Sequence, residues 1–378
     1  MDTDRNLIVC LDGTWNSVGS RTNVVRLYEL LSRGANQLTY YDDGVGIPDP
    51  TDPWWRQWRE RLRGGWFGAG LLDNVMQAYS WLARQYRPGD RIFILGFSRG
   101  AYTARMLASL VGRPGLPVLQ QDDEASLKRA TGWVREWRLH LGHEPAPGQA
   151  FLPVDVHFLG AWDTVGACGV PHWNWRPPMV RIRGVRFGNS RLPAHVKTAR
   201  QALAVDEHRK DYAPVLWTEQ DSPDSDIAQV WFPGAHAQIG GGYDDDLLCE
   251  LPLTWMCQEA SRAGLRFVGT PEACEAFVPP RVRLDGSEYL APLIDSWRHF
   301  AAGIYRLVSA RCLRRVCVDG INESVHPSVW NKWANDPDYR PGNIAHLGRK
   351  DQGSPSDPDR PGSAALERAF GRGCGVPE

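Results

Sequence analysis

The sequence predicts an α/β chain: a mostly parallel sheet covered by helices on both faces, with cap or lid insertions. Three observations predict it. Short apolar runs alternate with segments of helical period, the pattern of strands buried between helical layers. Chemically active residues recur directly after those runs, at Asp12, Asp43, Ser98, Asp163 and His236. Open parallel sheets collect their sites beyond the carboxyl ends of the strands. One of those residues, Ser98, also lies between two glycines, with an apolar run before it and a helical segment after it.

Leu7–Leu11 reads as the first strand, ending at Asp12-Gly13-Thr14. Asn23–Arg33 reads as a helix, with Val24, Leu27, Leu30 and Leu31 on one face. Leu38–Tyr41 is a second strand and Leu71–Tyr86 a second helix. Pro88-Gly89-Asp90 turns the chain into the apolar run Ile92–Leu95, and Ala101–Val111 continues as a helix. Val154–Trp162 and Ile227–Phe232 are further strands, ending at Asp163 and at Pro233-Gly234-Ala235-His236. Ala291–Val308 reads as one amphipathic helix. Residues 1–340 are expected to form a single elaborated domain, with 48–67 and 173–193 as lid or peripheral insertions and 341–378 as a partly irregular tail rich in Gly, Pro, Ser and Asp.

The segment Gly96-Phe97-Ser98-Arg99-Gly100 is G-x-S-x-G between a strand and a helix, the nucleophile elbow of an α/β-hydrolase-like fold. The turn is tight, so its flanking positions must be glycine. A serine hydroxyl needs a base within hydrogen-bond reach, and the base needs an orienting acceptor. The chain order Ser, Asp, His is supplied by Ser98, Asp163 and His236, with Asp206 and Asp244 as rival acids and His172 as the main rival base. His208 reads as helical and charged, and His157 lies within a strand. Activity is expected to rise with pH through roughly 6 to 7, where imidazole becomes neutral. The two oxyanion N–H donors are expected from Arg99 and from Gly13 or Thr14, with Gly44–Gly46 as second choice.

The bulk properties restrict the choice of partners. The chain has 378 residues with 43 Lys plus Arg and 44 Asp plus Glu, so its net charge gives no argument for nucleic acid. No run approaches the roughly 18 apolar residues that span a bilayer. The start, MDTDRNLIVC, lacks the pattern of a Sec signal. A cytoplasmic origin is expected, and with it reduced thiols for the eight scattered cysteines, which form no C-x-x-C pair. No compact metal-ligand motif is present, and no cofactor is expected. Of seventeen tryptophans, Trp54, Trp55, Trp58 and Trp66 are interleaved with Arg56, Arg59, Arg61 and Arg63. That pattern suits a lid over the cleft, and in its sharper form a lid that makes peripheral contact with an anionic phospholipid membrane surface.

Several segments together resemble a family of α/β-hydrolase-like domains of formerly unknown function that includes type VI secretion phospholipase effectors. They are CLDGTWN (Cys10–Asn16), YYDDGVG (Tyr40–Gly46), GDRIFILGFSRGAYTAR (Gly89–Arg105), AWDTVGACG (Ala161–Gly169), ALAVDEHRKDYAP (Ala202–Pro214), WFPGAHAQIGGGY (Trp231–Tyr243) and ESVHPSVW (Glu323–Trp330). The resemblance implies a Ser98-Asp163-His236 triad, ester hydrolysis in glycerophospholipids, export by a specialised system, and a secretion-apparatus or immunity partner. Members commonly carry an acidic residue two positions after the histidine, where this chain has Gln238.

Other classes fit less well. A phosphatase of the D-x-D-G-T type would need an aspartate where Cys10 stands. A metal-dependent hydrolase could draw on Asp12, Asp43, Asp163 and His236. A hydrolase fold can also serve only as an interaction module. Labelling by a fluorophosphonate separates the serine hydrolase from the last two.

Overall fold

The computed structural model describes residues 5–13, 21–44, 69–119, 124–140, 150–166, 190–243, 246–269, 286–299, 303 and 305–347. The apolar runs become β1 (Asn6–Leu11), β2 (Gln37–Asp42), β3 (Arg91–Phe97), β4 (Val156–Trp162) and β6 (Asp226–Phe232). Two further strands, β5 (Val196–Ala204) and β7 (Glu323–Val325), complete one sheet in the order β2-β1-β3-β4-β5-β6-β7. Every neighbouring pair in it is parallel. The fold is α/β-hydrolase-like, with helices on both faces of this sheet. The strand order reverses at β1, which pairs with β2 on one side and β3 on the other. Such a switch point opens a crevice at the carboxyl edge.

The period of two along each strand divides the core. Leu7, Val9 and Leu11 of β1, with Ile92 and Ile94 of β3, face a layer that includes α2 (Ala69–Gln85), α3 (Arg99–Gly112) and α4 (Glu124–His140). Ile8 and Cys10, with Phe93, Leu95 and Phe97, face α1 (Asn23–Leu30) and α6 (Glu250–Arg262). A third cluster joins Leu203, Val205 and Trp231 to Val316, Val329, Tyr339 and Ile344, and so packs the C-terminal segment and α7 (Pro327–Asn335) on the sheet. Directly after β6, α5 (His236–Gly240) adds Ile239 to the second cluster.

β5 is the main element the sequence reading omits. Lys197, Arg200 and Gln201 interrupt its apolar signal, yet it lies in the sheet interior. Its polar groups are paired where they stand. Arg200 binds Glu259 and Asp226, each at 2.5 Å. Gln201 donates to Gln229 of β6 at 3.0 Å. Paired polar groups of this kind can be buried at little net cost.

The expected helix at Ala291–Val308 is replaced by two short ones, Ser296–His299 and Tyr305–Val308. Pro292 disfavours helix at its start, and Gly303 takes a left-handed φ of 83° within it. Residues 341–347, the first of the expected tail, pack on the body of the chain. Ile344 is buried, and Asn343 donates to the Val205 carbonyl at 3.0 Å. Residues 48–67, with Trp54, Trp55, Trp58 and Trp66, lie outside the described residues, as do 173–189 of the second insertion. Arg191–Leu192, at the end of that insertion, pairs in parallel with Glu219–Gln220.

One backbone crossing locates the site. A Cβ on Gly100 would run into the carbonyl oxygen of Leu11, and one on Gly96 would lie 2.5 Å from the Gly100 oxygen. The ends of β1 and β3 and the start of α3 therefore meet without room for a side chain. Gly100→Ala is expected to cost about 3 kcal/mol or more in unfolding free energy, because rigid backbone must move. Denaturant titration within about 0.5 kcal/mol of the parent would contradict this reading.

Candidate active site

Ser98 joins β3 to α3 with φ 58° and ψ −121°, a strained conformation for a residue with a side chain. Two backbone bonds hold it there. Its N–H donates to the Trp162 carbonyl at 2.9 Å, and its carbonyl accepts from Tyr102 at 3.2 Å. The result lifts Oγ above the carboxyl edge, beside the N-terminus of α3, where helix N–H groups favour negative charge.

Asp163 follows β4 with φ 41°. Its N–H donates to the Ala202 carbonyl at 2.7 Å, and its Oδ1 accepts from the Ala204 N–H at 3.1 Å. Both bonds come from β5, so the unrecognised strand fixes this carboxylate. Arg314 adds a bidentate fork, Nη1 to Oδ1 at 2.6 Å and Nη2 to Oδ2 at 2.9 Å. Burial alone would raise the Asp163 carboxyl, but Arg314, and then His236, outweigh it and hold it well below the usual range.

His236 opens α5. Gly234 precedes it at φ 126°, and a Cβ there would lie 2.8 Å from Cβ of Gln238. The His236 N–H donates to Glu207 at 3.2 Å. Its Nδ1 lies 2.5 Å from Asp163 Oδ2 and its Nε2 2.9 Å from Ser98 Oγ. An ionised carboxylate only accepts, so Nδ1 carries the proton and Nε2 is left to accept from the serine hydroxyl. The ring is packed by Phe97, centroids 4.8 Å apart, and by the edge of Tyr212 at 5.0 Å. Burial, partly offset by Asp163, depresses the imidazole below its ordinary value of 6.5. The buried Glu207 that supports this loop is bridged by Arg209 at 2.8 Å, and Ser296 donates to it at 2.9 Å. Burial would raise Glu207, but Arg209 draws it down to about 2.

The structure thus brings Ser98, His236 and Asp163 into one hydrogen-bonded line. The rivals stand elsewhere or outside the described residues. Asp206 accepts from Gly234 at 2.8 Å and from Tyr339 at 3.2 Å, bracing the loop. His208 is buried and non-helical, contrary to its sequence reading; burial and Arg311 push it down to about 4. His157 is on β4 with its ring bonded to the Ala263 carbonyl. Asp244 and His172 lie outside the described residues.

Asp12 braces the loop after β1: it accepts from Thr22 Oγ1, from Tyr41 at 3.1 Å and from the Gly13 N–H at 2.7 Å. The Gly13 N–H thus donates to Asp12, and the Gly44 N–H donates to Asp42 at 2.8 Å. Thr14 lies outside the described residues. The cysteines also differ from expectation in one place: Cys10, Cys249 and Cys257 are free thiols, but Cys312 is disulfide-bonded.

The sequence model of the family described as "T6SS, Phospholipase effector Tle1-like, catalytic domain" matches residues 5–259. The chain belongs to this family. Among curated proteins, an uncharacterized protein of Saccharomyces cerevisiae is 28% identical over 236 residues, 57% of this chain and 33% of its own length. Among solved structures, an uncharacterized protein from Pseudomonas aeruginosa matches with 19% identity and a TM-score of 0.43, over 73% of this chain and 48% of its own. A Tle1 effector bound to the VgrG spike of the type 6 secretion system matches with 19% identity and a TM-score of 0.34, over 63% of this chain and 51% of its own. The chain therefore spans about a third of the curated relative and about half of each solved one.

Within this Tle1-like frame, Gln238 does not touch the His236 ring. Its Oε1 accepts from the Ala235 N–H at 3.2 Å and the Ile294 N–H at 3.0 Å. Its Nε2 donates to the Pro292 carbonyl at 3.0 Å and to Asp246 at 3.3 Å. The amide needs both of its ends here, because a carboxylate would face the Pro292 oxygen and Asp246 without a donor. The resemblance raised the position as a departure; the neighbours explain it as a tie between α5 and residues 292–294. Among the described residues no helix of this Tle1-like chain is long and apolar enough to cross a membrane.

Proposed function

We propose that this chain is a serine esterase that cleaves carboxylic ester bonds of phospholipids through an acyl-enzyme, with Ser98 as nucleophile, His236 as base and Asp163 as its orienting acid. The observation that carries this is the continuous line from Ser98 Oγ through both His236 nitrogens to Asp163, at 2.9 and 2.5 Å. Oγ attacks the ester carbonyl carbon as its proton passes to Nε2. Asp163 stabilises the imidazolium that results. The carbonyl oxygen, now negative, is received by the Arg99 N–H at the start of α3 and by the N–H of Gly13 or Thr14. Collapse breaks the carbon–oxygen bond to the alcohol, which takes the proton from Nε2 and leaves as a lysophospholipid. Water then attacks the acyl-serine with His236 again as base, and a fatty acid departs. The proposed chemistry uses side chains, backbone N–H groups and water.

The lipid substrate is supported by family membership, as are an export route through a specialised secretion system and partners in a secretion apparatus or an immunity protein. Residues 1–340 are read as one elaborated domain, and Trp54, Trp55, Trp58 and Trp66 as a lid against the lipid.

The test is fatty-acid release from glycerophospholipid vesicles, with fluorophosphonate labelling in parallel. Label is expected on Ser98. The base must be neutral, and burial depresses its pKa, so activity rises with pH and its acid limb lies below about 6.5, lower than the sequence alone suggests. No hydrolysis of vesicles or of soluble esters, together with no label, would favour a non-catalytic interaction module.

A further inference from the structure

We propose that Arg314 is a positioning residue of this site: it fixes the Asp163 carboxylate toward His236 and supplies the counter-charge that keeps it ionised while the imidazole is neutral. The proposal rests on the esterase reading above.

The geometry is over-determined. Besides its fork to both Asp163 oxygens, Arg314 donates from Nη1 to the Ala204 carbonyl at 3.0 Å and from Nη2 to the Tyr212 carbonyl at 2.6 Å. Four bonds leave a planar guanidinium one orientation. Each Asp163 oxygen then has one Arg314 donor and one other, the Ala204 N–H on Oδ1 and His236 Nδ1 on Oδ2. The second Oδ2 direction is thereby aimed at the imidazole.

Charge makes the same case. Asp163 is fully buried and Arg314 is 6% exposed. In the resting state His236 is neutral, so it cannot balance the Asp163 charge. A buried carboxylate with no counter-ion takes up a proton instead. Asp163 must be charged before Ser98 reacts, and Arg314 is the cation that touches it. The other charged or titratable groups around His236 are arranged differently. Glu207 meets its backbone N–H, Arg209 is paired with Glu207, and Tyr212 meets the ring edge. A pair kept only for stability could be replaced by apolar groups at no loss. Here the fold also tolerates a buried Arg314 Nε that has no hydrogen-bond partner.

Sequence reading could not have found this residue. It stands in RCLRRVC, among three arginines, and beyond residue 259, where the family match ends. Its place is set from both sides: the Cys312 N–H donates to the His208 carbonyl at 3.0 Å, and Val316 is buried in the third core cluster. The segment after α6 therefore completes the site rather than merely following it.

The test uses the full chain, a soluble ester, and the variants Arg314→Gln and Arg314→Lys. For Arg314→Gln, kcat/KM is expected to fall on the order of 10²-fold, as for a small misplacement of a reacting group. Its acid limb is expected to move up by about one pH unit, because the histidine–aspartate pair, without its neighbouring cation, gains a proton more readily. Arg314→Lys keeps the charge but not the fork, so kcat should fall while the acid limb stays in place. A merely structural arginine would lower the melting midpoint and leave the pH profile unmoved, and that result overturns the proposal. If Arg314→Gln does not fold, Arg314→Lys decides, and kcat/KM equal to the parent overturns it. A parent chain that neither turns over ester nor takes label removes the esterase reading itself. An active parent with unaffected Arg314 variants removes only the positioning role.

Discussion

Replacing Ser98 with alanine is expected to lower kcat for ester hydrolysis by on the order of 10⁶-fold while leaving the melting midpoint near that of the parent. The two halves of the expectation have separate grounds. Loss of rate follows because Oγ, 2.9 Å from His236 Nε2, is the group that forms the covalent intermediate in the proposed reaction. Retention of the fold follows because the elbow is held by the Ser98 backbone and by Gly96 and Gly100, and alanine keeps all of them. Fluorophosphonate labelling should vanish with the activity. Turnover within about tenfold of the parent, in a folded variant, would remove Ser98 from the chemistry.

Replacing Asp163 with asparagine should damage rate and stability together. An amide can bind the imidazole in the wrong tautomer, and in a serine triad this change costs about 10⁴-fold in kcat. The surroundings here add a second penalty. Every group that meets the carboxylate is a donor: two Arg314 nitrogens, the Ala204 N–H and His236 Nδ1. The asparagine NH₂ must therefore confront at least one of them. It also leaves Arg314 buried without its ion partner, a loss on the order of 3–5 kcal/mol. Kinetics on a soluble ester and a thermal melt measure the two effects. A variant that loses rate at unchanged stability would show that the ion pair adds nothing to the fold.

The parts of this architecture that could be read from sequence share a physical basis. β1, β3, β4 and β6 are apolar because both of their faces are covered, and the elbow needs small residues at fixed spacing. These demands leave local marks. β5 leaves none, because its arginine and glutamine are satisfied by Glu259, Asp226 and Gln229, which are distant in sequence. β7 is three residues at a sheet edge. The bond from the Gly13 N–H to the preceding Asp12 side chain leaves no mark in the sequence either. Ser98, Asp163 and His236 were legible as strand-end residues in a recurring order. Arg314 was not, since a positioning role depends on which groups meet in space.

The parallel order of the sheet has a consequence for how the chain acquires its chemistry. Parallel neighbours cannot be joined by a tight turn, so each pairing closes a long loop and such sheets tend to form slowly. β5 lies between the strand that ends at Asp163 and the strand that leads to His236, and it supplies two of the bonds that set Asp163. Until β5 inserts, β4 and β6 are not joined in one sheet. The line from Ser98 through His236 to Asp163 is therefore expected to form only once β5 is in place.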